Sequence, residues 1–159
     1  MGKIDQESAP CATGSGYPSP FDGPCKKRMR CRLGDAAGLS QFGVNLLTLL
    51  PGAWSSQRHW HSSEDEFIWV LDGEVTLVTD ETEEVLKAGD CAGFPAGVRT
   101  GHHLQNRSDA PAHVLEIGSR HAAFDWTDYP GVDLLFDPKR GYIHRDGSPY
   151  TAGSHPKPP

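Results

Sequence analysis

Two histidines at positions 59 and 61, a glutamate at 66 and a second histidine pair at 102 and 103 are the residues of this chain best suited to chemistry. Residues two apart on a β-strand point to the same face. The imidazoles of His59 and His61 can therefore converge on one ion. Glu66 opens the next strand-like run, where it can supply an oxygen to the same point, and a histidine of the 102–103 pair can complete the set. Imidazole nitrogens with a single carboxylate suit one divalent transition metal, such as Fe, Mn, Zn or Ni, better than calcium or magnesium.

Short strands must carry these groups. The chain has 159 residues, a hydrophobic fraction of 36%, 18 glycines and 13 prolines. That length fits one domain with its own core, and the turn-rich texture predicts an all-β fold. Phe42 to Leu50 reads as a buried strand ended by Pro51 and Gly52, and Gln57 to His61 reads as a short strand. The runs 66–71 and 74–79 flank Asp72 and Gly73, the residue pair preferred in a two-residue hairpin turn. Further strands are expected at 83–87, 91–94, 102–106, 112–118, 132–136 and 140–144, with one helical turn near 124–129. Residues 1–24 are expected to be an extended or disordered arm, 25–150 the β-domain, and 151–159 a disordered tail.

A formal net charge of −6 argues against nucleic-acid or anionic-membrane partners. The local exception is 26–32, which as a strand puts Lys26, Arg28, Arg30 and Arg32 on one face. A solvated edge strand is the expected reading, with an anion-recognising rim beside a binding site as the alternative. No basic segment followed by an apolar stretch opens the sequence, and no apolar run is long enough to span a bilayer, so a cytoplasmic protein is expected. Cys11, Cys25, Cys31 and Cys91 lack a Cys-x-x-Cys pair and are expected to be free thiols, with Cys91 a small buried residue.

With these residues assembled, the chain resembles the cupin superfamily. The first cupin motif, G-x5-H-x-H-x3,4-E-x6-G, is matched by Gly52, His59, His61, Glu66 and Gly73, with one extra residue after Gly52. The second, G-x5-P-x-G-x2-H-x3-N, is matched by Gly89, Pro95, Gly97, His102 and Asn106, with two extra residues after Gly97. The segments around these motifs are similar to single-domain bacterial cupins that carry a sugar-phosphate isomerase label. The resemblance implies a double-stranded β-helix, or jelly-roll, barrel holding one metal on His59, His61, Glu66 and His102. His103 becomes the ligand if a bulge shifts the register. A homodimer is implied as well.

A divalent ion on such ligands polarises a carbonyl, activates water or binds oxygen. Three functions follow: an isomerase or lyase acting on a small oxygenated metabolite, an Fe(II)-dependent oxygenase, and a binding or sensing module without turnover. Gln57 shares the parity of His59 and His61 and is the candidate to act on a bound ligand. Arg58 and Trp60 have the opposite parity and should face away. Arg99, on the loop before the second histidine pair, is a candidate to contact substrate. Trp54 is another, although Trp54, Phe67, Trp69 and Phe94 also suit a core. The parity of Glu116 is left open.

Overall fold

A computed structural model describes residues 2–121 and 123–150. Thirteen strands run in chain order: β1 (Cys11–Thr13), β2 (Arg28–Arg32), β3 (Phe42–Leu49), β4 (Trp60–His61), β5 (Glu66–Asp72), β6 (Glu74–Thr79), β7 (Glu83–Lys87), β8 (Cys91–Phe94), β9 (His102–Gln105), β10 (Ala112–Ser119), β11 (Thr127–Asp128), β12 (Leu135–Asp137) and β13 (Gly141–Ile143). Among the described residues one short α-helix, α1 (Leu33–Ala36), follows β2, and single 3-10 turns lie at Gln6–Ser8 and Gly23–Cys25.

The strands form two walls. The first is a six-stranded sheet in the order β1-β2-β3-β10-β5-β8. The second combines β7-β6-β9 with β13-β12-β11-β4. These two groups meet where His59 and His102 exchange backbone hydrogen bonds of 3.1 and 2.9 Å. Between the walls lie Leu47, Leu49, Ile68, Val70 and Val114 from the first, and Val75 and Leu104 from the second. Strict alternation creates this arrangement: Ile68 and Val70 are buried, while Phe67, Trp69 and Leu71 are exposed on the outer face. The result is a nearly all-β jelly-roll barrel. A second cluster, centred on Tyr17, Tyr129 and Leu134, fills the space toward β11–β13.

Several elements differ from expectation. Asp72 and Gly73 do not close a hairpin, because β5 pairs with β10 and β8 while β6 pairs with β7 and β9. The chain instead turns a corner from one wall to the other. Gly73 has φ +77°, and a Cβ there would lie 2.8 Å from the Pro111 carbonyl oxygen. The expected strand 57–61 shrinks to Trp60–His61, because the backbone from Ser55 to Arg58 is a series of bends. The expected turn near 124–129 contains β11, which pairs with β4.

The basic run is not a solvated edge. β2 lies between β1 and β3, Arg28 is buried, and Arg30 pairs with Glu116 on β10. The edge position is taken from residues 1–24, where Cys11–Thr13 pairs with β2 and Cys11 forms a disulfide with Cys31. The expectation of four free thiols therefore fails for that pair, whose side chains the antiparallel register places directly opposite. Cys25 and Cys91 are free, and Cys91 is exposed rather than buried because it points to the outer face of β8. The tail expected at 151–159 lies outside the described residues. Among the described residues no helix is long and apolar enough to cross a membrane.

Candidate metal centre

The hydrogen-bonded pair His59–His102 sets two imidazoles side by side, with ring centroids 4.9 Å apart. β4 then brings in His61, whose ring lies 5.0 Å from that of His59. Glu66, the first residue of β5, extends its carboxylate into the middle of the three. A single oxygen, Oε2, lies 2.8 Å from His102 Nε2, 3.4 Å from His59 Nε2 and 3.6 Å from His61 Nε2. Donor atoms of His59, His61 and Glu66 all fall within 4.8 Å of one another, as a shared ion requires.

The far side of each ring settles which nitrogen faces inward. His59 Nδ1 donates to the Gln57 carbonyl at 2.9 Å, with Ser56 Oγ at 3.3 Å. His61 Nδ1 donates to Asp125 Oδ2 at 2.5 Å. A proton held on Nδ1 leaves the Nε2 lone pair directed at the centre, the arrangement found around metal-bound histidines. His102 is held differently. Its Nδ1 is buried without a hydrogen-bond partner among the described residues, and Phe94 stacks on the ring at 3.6 Å and 2°. The proton of His102 can thus sit on Nε2 when the ring donates to Glu66, or on Nδ1 when Nε2 serves as a ligand. His103 is committed elsewhere: Nδ1 contacts the Ser56 carbonyl at 2.9 Å and Nε2 the Gln105 side chain at 3.0 Å.

Electrostatics bias the protonation of Glu66, His59 and His61 in different directions. Burial pushes the Glu66 carboxyl up, but His59 and His61 together with the hydrogen bond from His102 outweigh it and hold it well below the usual carboxylate range. Burial lowers His59, against the pull of Glu66, and favours the neutral ring. For His61, burial is outweighed by the hydrogen bond to Asp125 and the charge of Glu66, and its affinity for a proton rises. Three imidazoles and one carboxylate around a common point fit a divalent transition metal.

Glu66, His61 and His102 open onto a cavity of about 190 Å³, bounded also by Trp60, Glu64, Thr79 and Phe94. Its wall mixes a few polar groups with apolar rings, as ligand pockets do. Trp60 faces this cavity rather than away from it. Arg58 pairs with Asp80 at 3.0 Å outside it. Arg99 is exposed at the rim with its guanidinium 5.6 Å from the Trp60 ring centre.

Two candidates are not brought to the centre. Gln57 Nε2 donates to the Phe21 carbonyl at 2.7 Å, because the bends at 55–58 break the parity that would have aligned it with His59. Trp54 packs in the tyrosine cluster and meets His103 edge-on at 4.7 Å. Conversely, sequence reasoning missed Asp125 and Glu64. Asp125 accepts from Ser62 Oγ, Ser63 N and Ser63 Oγ as well as His61, so it brackets the start of the loop between β4 and β5. It reaches His61 only because β11 pairs with β4, and no local pattern announces that pairing. Glu64 sits in a run of polar residues with no periodicity to mark it. Together with His61 and Asp125 it forms a second group of metal-capable donors, overlapping the first at His61.

Comparison with known proteins agrees with this geometry. Residues 45–118 match the cupin domain family. No curated protein matches the chain. Among solved structures, a sugar phosphate isomerase from a cupin superfamily, from Silicibacter pomeroyi, is 44% identical. The match covers 95% of this chain and 98% of that one, with a TM-score of 0.87. A protein of Acidithiobacillus ferrooxidans, provisionally named a sugar phosphate isomerase, is 33% identical over 68% of each chain, with a TM-score of 0.64. The polyketide cyclase RemF from Streptomyces resistomycificus, at 19% identity, 75% and 79% coverage and a TM-score of 0.58, shares the fold alone. Identity of 44% to one such structure over nearly the full length of both chains, joined to both spaced motifs meeting at a single cavity, shows that the chain belongs to the cupin superfamily.

Proposed function

We propose that this chain is a divalent-metal-dependent enzyme that isomerises or cleaves a small oxygenated metabolite, a sugar phosphate or hydroxy acid. The observation that carries this reading is the convergence of three imidazole nitrogens and one carboxylate oxygen at the floor of a small cavity. The isomerase name of the 44%-identical Silicibacter pomeroyi protein supports the choice of chemistry. His59, His61, Glu66 and His102 would hold the metal, which when bound acts as a Lewis acid toward a carbonyl or hydroxyl oxygen.

The remaining steps fall to side chains. Isomerisation of an α-hydroxy carbonyl removes a proton from one carbon and returns one to its neighbour. Glu64 is the group in the cavity suited to carry that proton. Its Oε1 accepts from the His121 backbone at 2.5 Å, and Oε2 has no partner among the described residues. Burial raises its proton affinity, which brings a carboxylate closer to the range useful for general base and acid work. Thr100 offers a hydroxyl to a substrate oxygen, and Phe94, Val98 and Trp60 keep water from the reacting carbons. Arg99 at the rim is a candidate contact for a charged end of the substrate.

The test is metal analysis of anaerobically purified protein, followed by turnover of candidate sugar phosphates with and without oxygen. Stoichiometric metal and turnover indifferent to oxygen are expected. Iron with substrate-triggered oxygen uptake would replace this reading with an oxygenase. A ligand that binds tightly and leaves unchanged would replace it with a sensing module.

We further propose a homodimer formed through the outer face of the first sheet. Phe67, Trp69 and Leu71 are exposed there along one strand. A flat apolar face that recurs on each copy suits a two-fold contact, in which one patch meets itself.

A further inference from the structure

We infer that Arg30, held in place by Glu116, binds an anionic oxygen group of the ligand inside the barrel, on the side of Glu66 away from the cavity rim. The argument begins with parity. In the first sheet Arg30 is opposite Leu47 and Arg28 opposite Leu49, and both leucines are core residues. Arg28 and Arg30 therefore project between the walls. Glu116 is opposite Ile68 and lies two residues beyond Val114 on the same face. Along that face Glu116 is one step from Gly118, which is opposite Glu66. Gly118 has no side chain to separate the two carboxylates, and a Cβ there would lie 3.9 Å from Glu66 Cγ.

These inward groups retain exposure that a packed core would remove. The side chain of Arg30 is 20% exposed, Glu116 18% and Glu66 31%. Arg30 also keeps an unused donor. Its Nε and Nη2 grip Glu116 at 2.7 and 2.8 Å, while Nη1 has no partner among the described residues. The bidentate grip fixes the plane of the guanidinium and leaves that edge pre-oriented.

The charge balance selects the ligand. Arg28 is buried, and its bonds go to neutral groups: Nε to the Gly14 carbonyl at 2.9 Å, Nη1 to the Ser55 carbonyl, and its guanidinium carbon 6.0 Å from the Tyr17 ring centre. With Glu66 given over to the metal centre, two guanidiniums face one remaining carboxylate, Glu116, and the wall holds one surplus positive charge. A phosphate or a carboxylate on the ligand would neutralise it. The proposal rests on the metal-centre reading for the other end of the ligand, and it gives that reading a substrate with an anionic terminus.

The test titrates inorganic phosphate, and separately acetate, into manganese-loaded and chelator-dialysed protein by calorimetry, with metal content measured in parallel. Arg30→Gln should weaken binding of the preferred anion by about tenfold or more, as loss of a charge-assisted contact does. Glu116→Gln, which keeps the shape but removes the opposing charge, should tighten it several-fold. The opposite signs separate anion binding from general loss of fold. Whichever of phosphate and acetate binds more tightly identifies the terminus. No binding of either anion to the wild type, equal affinity in Arg30→Gln, or weaker affinity in a folded Glu116→Gln would overturn the proposal. Absence of bound metal would instead overturn the metal reading alone, because the dialysed protein still reports on Arg30.

Discussion

Oxygen Oε2 of Glu66 is the point on which three histidines agree, and the contrast between His102 and His103 shows how little separates a ligand from a bystander. They are adjacent in sequence and both buried, yet only His102 turns a ring nitrogen to Glu66. His61→Ala and His102→Ala should each lose stoichiometric metal while the β-sheet circular dichroism signal persists. His103→Ala should retain metal. Asp125→Asn should weaken metal affinity roughly 10- to 100-fold, the usual cost of losing the partner that orients a ligating histidine. Retention of metal by His61→Ala would show that the ligand set is misassigned. The three histidines and the glutamate were legible because strand parity and motif spacing are local properties. Asp125 and Glu64 were not, since their roles depend on a loop and on the pairing of two-residue strands.

Among the elements, the long strands β3, β5, β6 and β10 could be read from the sequence, because burying one face imposes a period of two. The connections between them were harder. Asp72 and Gly73 carry the residue types of a hairpin, but a positive φ at glycine serves a corner equally well, and only the pairing partners distinguish the two. Parity also failed where backbone regularity ended, at Gln57, and charge misled at β2, where Arg28 and Arg30 point into the barrel. Gly73→Ala tests the corner directly. It combines a disfavoured backbone conformation, costing about 1–3 kcal/mol, with a clash against the carbonyl of Pro111. A lower denaturant midpoint with unchanged slope is expected. An unchanged midpoint would show that the corner relaxes freely.

For the whole molecule, the outer and inner surfaces of the first sheet divide the work. The inner surface carries the carboxylates, arginines and core aliphatics, and the outer one carries Phe67, Trp69 and Leu71. If two copies meet there, Trp69→Glu should convert a dimer to a monomer in sedimentation velocity without loss of metal. A wild type that sediments as a monomer at high concentration would rule the contact out. The fold class and the jelly-roll architecture were legible from motif and periodicity, whereas the disulfide that ties Cys11 to Cys31 was not. It depends on β1 adding to β2, a pairing that a turn-rich opening segment does not advertise.

The pairing of His59 with His102 has a mechanical consequence. The segment leading into β4 is stitched to β9 at Ser55–Leu104 and again at His59–His102, and the last two residues also offer their rings to the ion. A bound cation would act there as a rivet across the seam. Loading the protein with metal should slow deuterium uptake at the amides of residues 59 and 102 far more than at β3 or β10, whose ladders close without it. Equal slowing throughout would mean that the ion stiffens the barrel as a unit instead.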